Sequence, residues 1–334
     1  MMNRRRFIAI SAAAAGCSLA WSGVAAAAPS GTVTWRGKAL GASASLTIHH
    51  HDEARAEGLV RQVVQEVERL EQVFSLYRAD SALSQLNRQG ALAAPPPDLI
   101  SLLQASRETW ELTGGAFDPT VQPLWLLLAE HFSRAGAAPD GPARDRIAEA
   151  LELVGFEKVA YDRNRIAFGR RGMSLTLNGI AQGYITDRAV DIMRHGGIEN
   201  SLVNMGEIRA LGSNAGGAPW RIGIETAQGN GGPAASVDIV NKAAATSSGQ
   251  GFAFDARARF NHLLDPRSGA SASRYRSITV IAPEAASADA YSTAFALMPR
   301  DAIRGIMTNE PELSVYVENG DGQLDVLKTE TGIR

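Results

Sequence analysis

Asp289 and Thr293 stand four residues apart in Ser287-Ala288-Asp289-Ala290-Tyr291-Ser292-Thr293, a spacing that stacks them on one helix face. A carboxylate beside a hydroxyl makes a hard oxygen pair, suited to Mg2+ rather than zinc, although a capping or helix-surface pair has the same spacing. A second stretch, LTLNGIAQGYITD from Leu175 to Asp187, runs from an apolar segment through a turn at Asn178-Gly179 into a helix. Gly179 and Gly183 leave the backbone bare there; such glycines either present N–H groups to an anion or serve packing alone. Ala245-Thr246-Ser247-Ser248-Gly249 is a strand end entering a small hydroxyl loop, a phosphate cradle or a plain turn. His262 precedes the tight turn Asp265-Pro266-Arg267-Ser268-Gly269, where a histidine either meets phosphate, moves a proton or simply bonds the turn. Asn204-Met205-Gly206-Glu207 is a glycine turn bearing a carboxylate, and Tyr77 follows a helix end, either as a stacking platform or as a core or rim tyrosine. The chain shows no Ser–His–Asp order, HExxH, Walker A or strand-linked GxGxxG. Oxygen ligands, glycine turns, one histidine and one tyrosine suit the handling of a pyrophosphate with bound magnesium.

The elements that must position these residues follow from apolar periodicity. Leu59, Val63, Val67, Leu70 and Val73 predict a helix from Asp52 to Phe74, with Asp52 as its cap. Further helices are expected over 99–112, 121–132, 143–154 (opened by Pro142), 184–193, 285–298 and 301–308, with a short one ending at Asn87. One or two strands are expected over 32–48. Further strands are expected over 159–161 and 165–168 as a hairpin, then 173–177, 201–205, 208–211, 220–225, 236–240, 243–247, 277–282 and 313–318. Ala227 to Pro233 reads as a glycine-rich hairpin loop. His49-His50-His51 reads as a solvated strand end, since neighbours in sequence do not share a face. A helix-rich part followed by a strand-rich part with interspersed helices argues for an α+β fold.

The 334 residues are 45% hydrophobic and 20% charged with a formal net charge of −2, which is globular composition without a basic field for nucleic acid. Beyond the first residues no apolar run is long enough to span a membrane. Asn3-Arg4-Arg5-Arg6-Phe7-Ile8 is a twin-arginine pattern, and Val24-Ala25-Ala26-Ala27-Ala28 offers A-x-A cleavage positions. Residues 1–28 are therefore expected to be a removed export signal and 29–334 a single periplasmic domain. The one cysteine, Cys17, lies inside that signal, so the mature chain is expected to hold no disulfide, thiolate metal site or cysteine nucleophile.

Nine stretches, in order along nearly the whole mature chain, resemble the FAD:protein FMN transferases of the ApbE family. They are ALGASASLTI from Ala39, FSLYRADSALSQLN from Phe74, TGGAFDPTVQPL from Thr113, LNGIAQGYITD from Leu177 and NMGEIRALG from Asn204. WRIGIE from Trp220, ATSSG from Ala245, NHLLDPRSG from Asn261 and ADAYST from Ala288 complete the set. The resemblance implies two intertwined subdomains with FAD bound in the cleft between them. It implies Mg2+-dependent joining of FMN, through its phosphate, to a threonine or serine of a partner protein, with release of AMP. By position, Tyr77 resembles the residue that stacks on the adenine. Asp289, Thr293 and the backbone carbonyl of Ala181 resemble the metal ligands, and His262 resembles the histidine near the pyrophosphate. Asp118, Gly179, Glu207 and Ser248 fall on cofactor-contact motifs. The chain departs from the family pattern at Gln182, where lysine is common, and at Thr176, where an acidic residue is common. The LTLNGIAQGYITD wording with a twin-arginine signal looks most like the subgroup serving nitrous oxide reductase assembly, which implies a membrane-bound flavoprotein as acceptor. Two rival functions share these residues: an FAD pyrophosphatase that uses water as acceptor, and a non-catalytic periplasmic flavin carrier.

Overall fold

Apolar residues alternate through 42–48, and a turn at Leu40-Gly41 folds this stretch back on the preceding one. The result is the hairpin β1 (Thr32–Ala39) and β2 (Ala42–His49), paired antiparallel. The computed structural model describes residues 31–226 and 233–328. The expected export signal lies outside the described residues, as does the expected glycine-rich loop apart from Pro233.

Helix α1 (Glu53–Phe74) starts where the Asp52 carboxylate accepts from Arg55 N at 3.0 Å. It buries Leu59, Val63, Val67, Leu70 and Val73, the stripe its spacing requires. Helix α2 (Ala82–Gln89) ends at Gly90, whose φ of 74° is the left-handed conformation a helix stop favours. Then come β3 (Ala91–Ala93), α3 (Pro97–Leu112), α4 (Gln122–Phe132), α5 (Arg144–Leu151), β4 (Val159–Tyr161), β5 (Arg165–Phe168) and α6 (Ala181–His195). The strand-rich part holds β6 (Asn200–Asn204), β7 (Ile208–Leu211), β8 (Trp220–Ile224), β9 (Ala235–Ile239), β10 (Ala243–Ser248) and β11 (Ser277–Ala282). Helices α7 (Ala285–Phe295) and α8 (Arg300–Asn309) precede β12 (Ser314–Glu318) and β13 (Leu324–Leu327).

Eight strands form one antiparallel sheet in the order β1-β2-β6-β7-β10-β11-β12-β13. Its second strand, β2, pairs with β6 across the intervening helices, so the start and the middle of the chain share one layer. Leu46, Ile48, Val203, Ala245, Ile278 and Val280 meet α1, α6 and α7 in the main core. On the opposite face, Leu202, Ile208, Ala244 and Ile281 are covered by Trp220, Ile222 and Ile239 of the β8–β9 hairpin. A smaller lobe has its own core of Leu124, Leu128, Ala150, Val154 and Leu264. The fold is thus α+β in two intertwined parts.

The structure moves several of the expected boundaries. Residues 173–177 are extended but belong to no sheet. The Asn87 side chain accepts from Leu175 N at 2.7 Å and donates to Leu175 O at 2.8 Å, and Thr176 N donates to Pro119 O at 2.8 Å, so these bonds stand in for a partner strand. Helix α6 begins at Ala181, three residues before the expected Tyr184, which puts Ala181, Gln182 and Gly183 in its first turn. Pro142 lies outside α5, whose cap is Ala143.

Candidate active site

The start of α6, the ends of β7 and β10, helix α7 and the smaller lobe enclose a cleft of about 1190 Å³ of empty space, part of it open to solvent. Its lining brings together Tyr77, Asp118, Gly179, Glu207, Ser248, His262, Asp289 and Thr293, which span most of the described chain. Eight of the nine expected site residues therefore share one wall or another of a single cavity. The ninth, Ala181, is buried at the first position of α6, between Gly179 and Gly183, both of which touch α7.

The two glycines act differently from an open anion turn. A Cβ on Gly179 would lie 2.8 Å from Thr293 Oγ1, so its bareness admits the threonine. A Cβ on Gly183 would lie 2.2 Å from the Ala285 carbonyl oxygen, so this glycine permits α6 and α7 to touch. The anion that Gly183 N–H meets is the protein's own: it donates to Asp289 Oδ2 at 3.1 Å. Thr293 Oγ1 is 3.4 Å from Ser247 Oγ, which is itself 2.8 Å from Ser292 Oγ.

Charge in the cleft is one-sided. Asp118, Glu207 and Asp289 line it, and no lysine or arginine is among its described lining residues. Burial pushes the Asp289 carboxyl up to about 7, against the lowering effect of Gly183 N–H. Burial, and then the nearby Asp289 charge, holds the Glu207 carboxyl well above the usual range despite a bond from Thr246 N–H. These carboxylates have no cationic side chain among the cleft's described lining residues, and a hard cation is a partner their chemistry suits. Asp289 carboxylate, Thr293 hydroxyl and Ala181 carbonyl are all oxygen donors of the kind Mg2+ takes, so the residues present fit that ion. Among the described residues no cluster of three or more His, Cys, Asp or Glu offers a softer metal site.

Two of the expected contact residues spend their side chains on the fold. Asp118 Oδ1 accepts from Thr120 N at 2.8 Å and from Thr120 Oγ1 at 2.5 Å. Its Oδ2 accepts from Phe156 N at 3.1 Å and Trp110 Nε1 at 3.2 Å. Ser248 Oγ donates to Arg276 O at 2.7 Å and accepts from Gln250 N at 3.2 Å. Both shape the wall of the cleft through bonds already made. His262 Nδ1 lies 3.1 Å from the Phe252 carbonyl oxygen, which can only accept, so Nδ1 carries the proton and Nε2 the lone pair. Burial lowers the His262 pKa from 6.5, so the ring is neutral at pH 7. Tyr77 is 40% exposed at the rim of the cleft. Gln182 lines the cleft against Gly206, where a Cβ would meet its amide nitrogen at 2.8 Å. Trp125 also lines the cleft; in the sequence it is one apolar residue of an apolar helix, and nothing marks it.

Fold and cleft define a class: a two-lobed α+β protein whose acidic, partly enclosed cleft gathers widely spaced polar turns around one helix pair. The chain belongs to the ApbE family, whose profile matches residues 40–317. It is 30% identical over 262 residues to the FAD:protein FMN transferase of Treponema pallidum, covering 72% of this chain and 71% of that one. To the enzyme of that name from Haemophilus influenzae it is 29% identical over 256 residues, 73% of each chain. The flavin transferase ApbE from Vibrio cholerae superposes with a TM-score of 0.76 at 24% identity, covering 90% of this chain and 98% of that one. The ApbE protein from Thermotoga maritima gives 0.78 at 28% identity, covering 89% and 97%.

Proposed function

We propose that this protein transfers FMN from FAD to a threonine or serine hydroxyl of a partner flavoprotein, releasing AMP, and that it depends on Mg2+. The observation that carries the reading is the charge of the cleft. A dinucleotide diphosphate has no lysine or arginine to meet among the described lining residues, and a divalent ion held by Asp289 would reconcile it with Asp289 and Glu207 in their ionised forms. Gln182 sharpens this, because lysine is common at that position in the family and the amide supplies no charge.

Asp289, Thr293 and the Ala181 carbonyl would hold Mg2+, which when bound neutralises charge on the bridging and leaving phosphate oxygens. The acceptor hydroxyl oxygen bonds to the FMN-side phosphorus, and the anhydride bond from that phosphorus to the AMP oxygen breaks. His262 Nε2, with its lone pair, takes the hydroxyl proton; AMP leaves with the former bridging oxygen. Tyr77 at the rim stacks on the adenine. The twin-arginine pattern supports a periplasmic site of action, and the LTLNGIAQGYITD wording supports a role in nitrous oxide reductase assembly with a membrane-bound flavoprotein as acceptor. No helix among the described residues is long and apolar enough to cross a membrane.

The test is to incubate purified protein, FAD and Mg2+ with an established acceptor and to weigh the acceptor. One FMN mass on a single hydroxyl residue, with AMP released in equal amount, is expected. AMP release without an acceptor would favour the pyrophosphatase, and tight FAD binding with neither product would favour the carrier.

A further inference from the structure

We propose that Asp187 is a positioning residue that sets the register of α7 on α6, and through it the distance between Asp289, Thr293 and the first turn of α6. The proposal rests on the Mg2+ reading of the site given above.

Helix α7 supplies no side-chain cap of its own, since its N-cap residue, Glu284, makes no such bond. The cap comes from another helix. Asp187 Oδ1 accepts from Ala285 N at 2.8 Å and Oδ2 accepts from Ala286 N at 2.9 Å. Both N–H groups are among those a helix start leaves unpaired, and a carboxylate there also meets the positive end of the helix dipole. Arg209 of β7 holds the carboxylate from the sheet side, with Nη1 at 2.5 Å from Oδ1. Asp187 and Arg209 are both buried, so the cap is shielded from water and from salt.

Asp187 also completes a regular series. Gly179 meets Thr293, Gly183 meets Asp289 through its N–H, and Asp187 meets Ala285, in steps of four along both segments. The two segments therefore run antiparallel with one fixed register. Gly183 allows close approach but bears no side chain to stop sliding; Asp187, bonded to two consecutive N–H groups, does stop it. One residue of slip moves α7 by about 1.5 Å along its axis, several times the tolerance of a preorganised site.

Asp187→Asn keeps the shape but leaves one neutral acceptor oxygen for three donors, and turns an NH2 group toward them. The double variant Asp187→Asn/Arg209→Gln removes the guanidinium that would otherwise be buried unpaired, and returns an acceptor to the new amide. Mg2+ binding in the presence of FAD is measured by calorimetry for wild type and both variants, with FAD affinity without metal and the melting temperature alongside. Expected is Mg2+ binding weaker by about 10–100-fold in both variants, the loss typical when a group supporting a metal ligand is removed. FAD affinity without metal should stay within about twofold, and the double variant should recover melting temperature without recovering Mg2+ affinity. If the single variant does not fold, the double variant carries the comparison. Mg2+ affinity unchanged in the folded variants, or restored together with melting temperature, overturns the proposal. Absence of Mg2+ binding by the wild-type protein with FAD sinks the metal reading itself, and this inference with it.

Discussion

His262 enters any reaction in this cleft as a neutral ring with its tautomer already chosen, because the Phe252 carbonyl accepts from Nδ1. Its folded pKa lies below 6.5, so the unfolded chain takes up the proton first as pH falls. The sign follows: neutral His262 contributes stability above pH 6.5 that is lost as pH falls through the folded value. The same titration contributes to the acidic limb of kcat/KM in a pH–rate series; His262→Gln should remove that contribution, and its kcat should fall by about 10²–10⁴-fold. Asp289→Asn keeps an acceptor for Gly183 N–H, so the fold should stand, as near-unchanged circular dichroism would verify. Its transfer rate should drop on the order of 10²–10³-fold, the cost of removing one group aimed at developing charge. These residues were legible in the sequence because helix spacing places Asp289 over Thr293. The bonds of Asp118 and Ser248 were not, since Asp118 is met by Phe156 and Ser248 by Arg276, far along the chain.

Among the elements, the contact of α6 with α7 sets the site. Gly183→Ala forces a methyl onto the Ala285 carbonyl and should destabilise by about 1–3 kcal/mol in chemical denaturation, the range for overpacking. Asn87→Ala should cost about 1–3 kcal/mol, because Leu175 N–H and C=O lose the side chain that both bond in a stretch without a sheet partner. A denaturation midpoint equal to wild type would show that residues 173–177 hold their place without it. The sequence reading of that stretch as a strand fails for this reason: its apolar pattern is a strand's, but Leu175 bonds a side chain 88 positions away and Thr176 N–H donates to the Pro119 carbonyl. The start of α6 is also hidden, because Ile180 offers no capping side chain and Gly183 weakens helix propensity in the first turn. Longer periodic elements such as α1 were readable nearly to the residue, since their burial depends on spacing alone.

On the scale of the whole molecule, the mixed α+β class and most strands follow from composition and alternation. The closing of β2 onto β6, and the resulting gathering of the stretches at Tyr77, Gly179, Glu207, His262 and Asp289 into one cleft, does not. No local pattern reports that eight strands share a sheet or that no lysine or arginine is among the described residues lining the cleft. That lining is the physical core of the account: with its carboxylates ionised, the cleft would take a diphosphate together with a divalent ion. The measurement that meets this claim head-on is anomalous diffraction from crystals soaked with Mn2+ and FAD. The account predicts one strong peak within coordination distance of Asp289, Thr293 and the Ala181 carbonyl, against the FAD diphosphate, and none there in Asp289→Asn. A peak elsewhere, or FAD seated with its diphosphate in the cleft and no metal beside it, would contradict it.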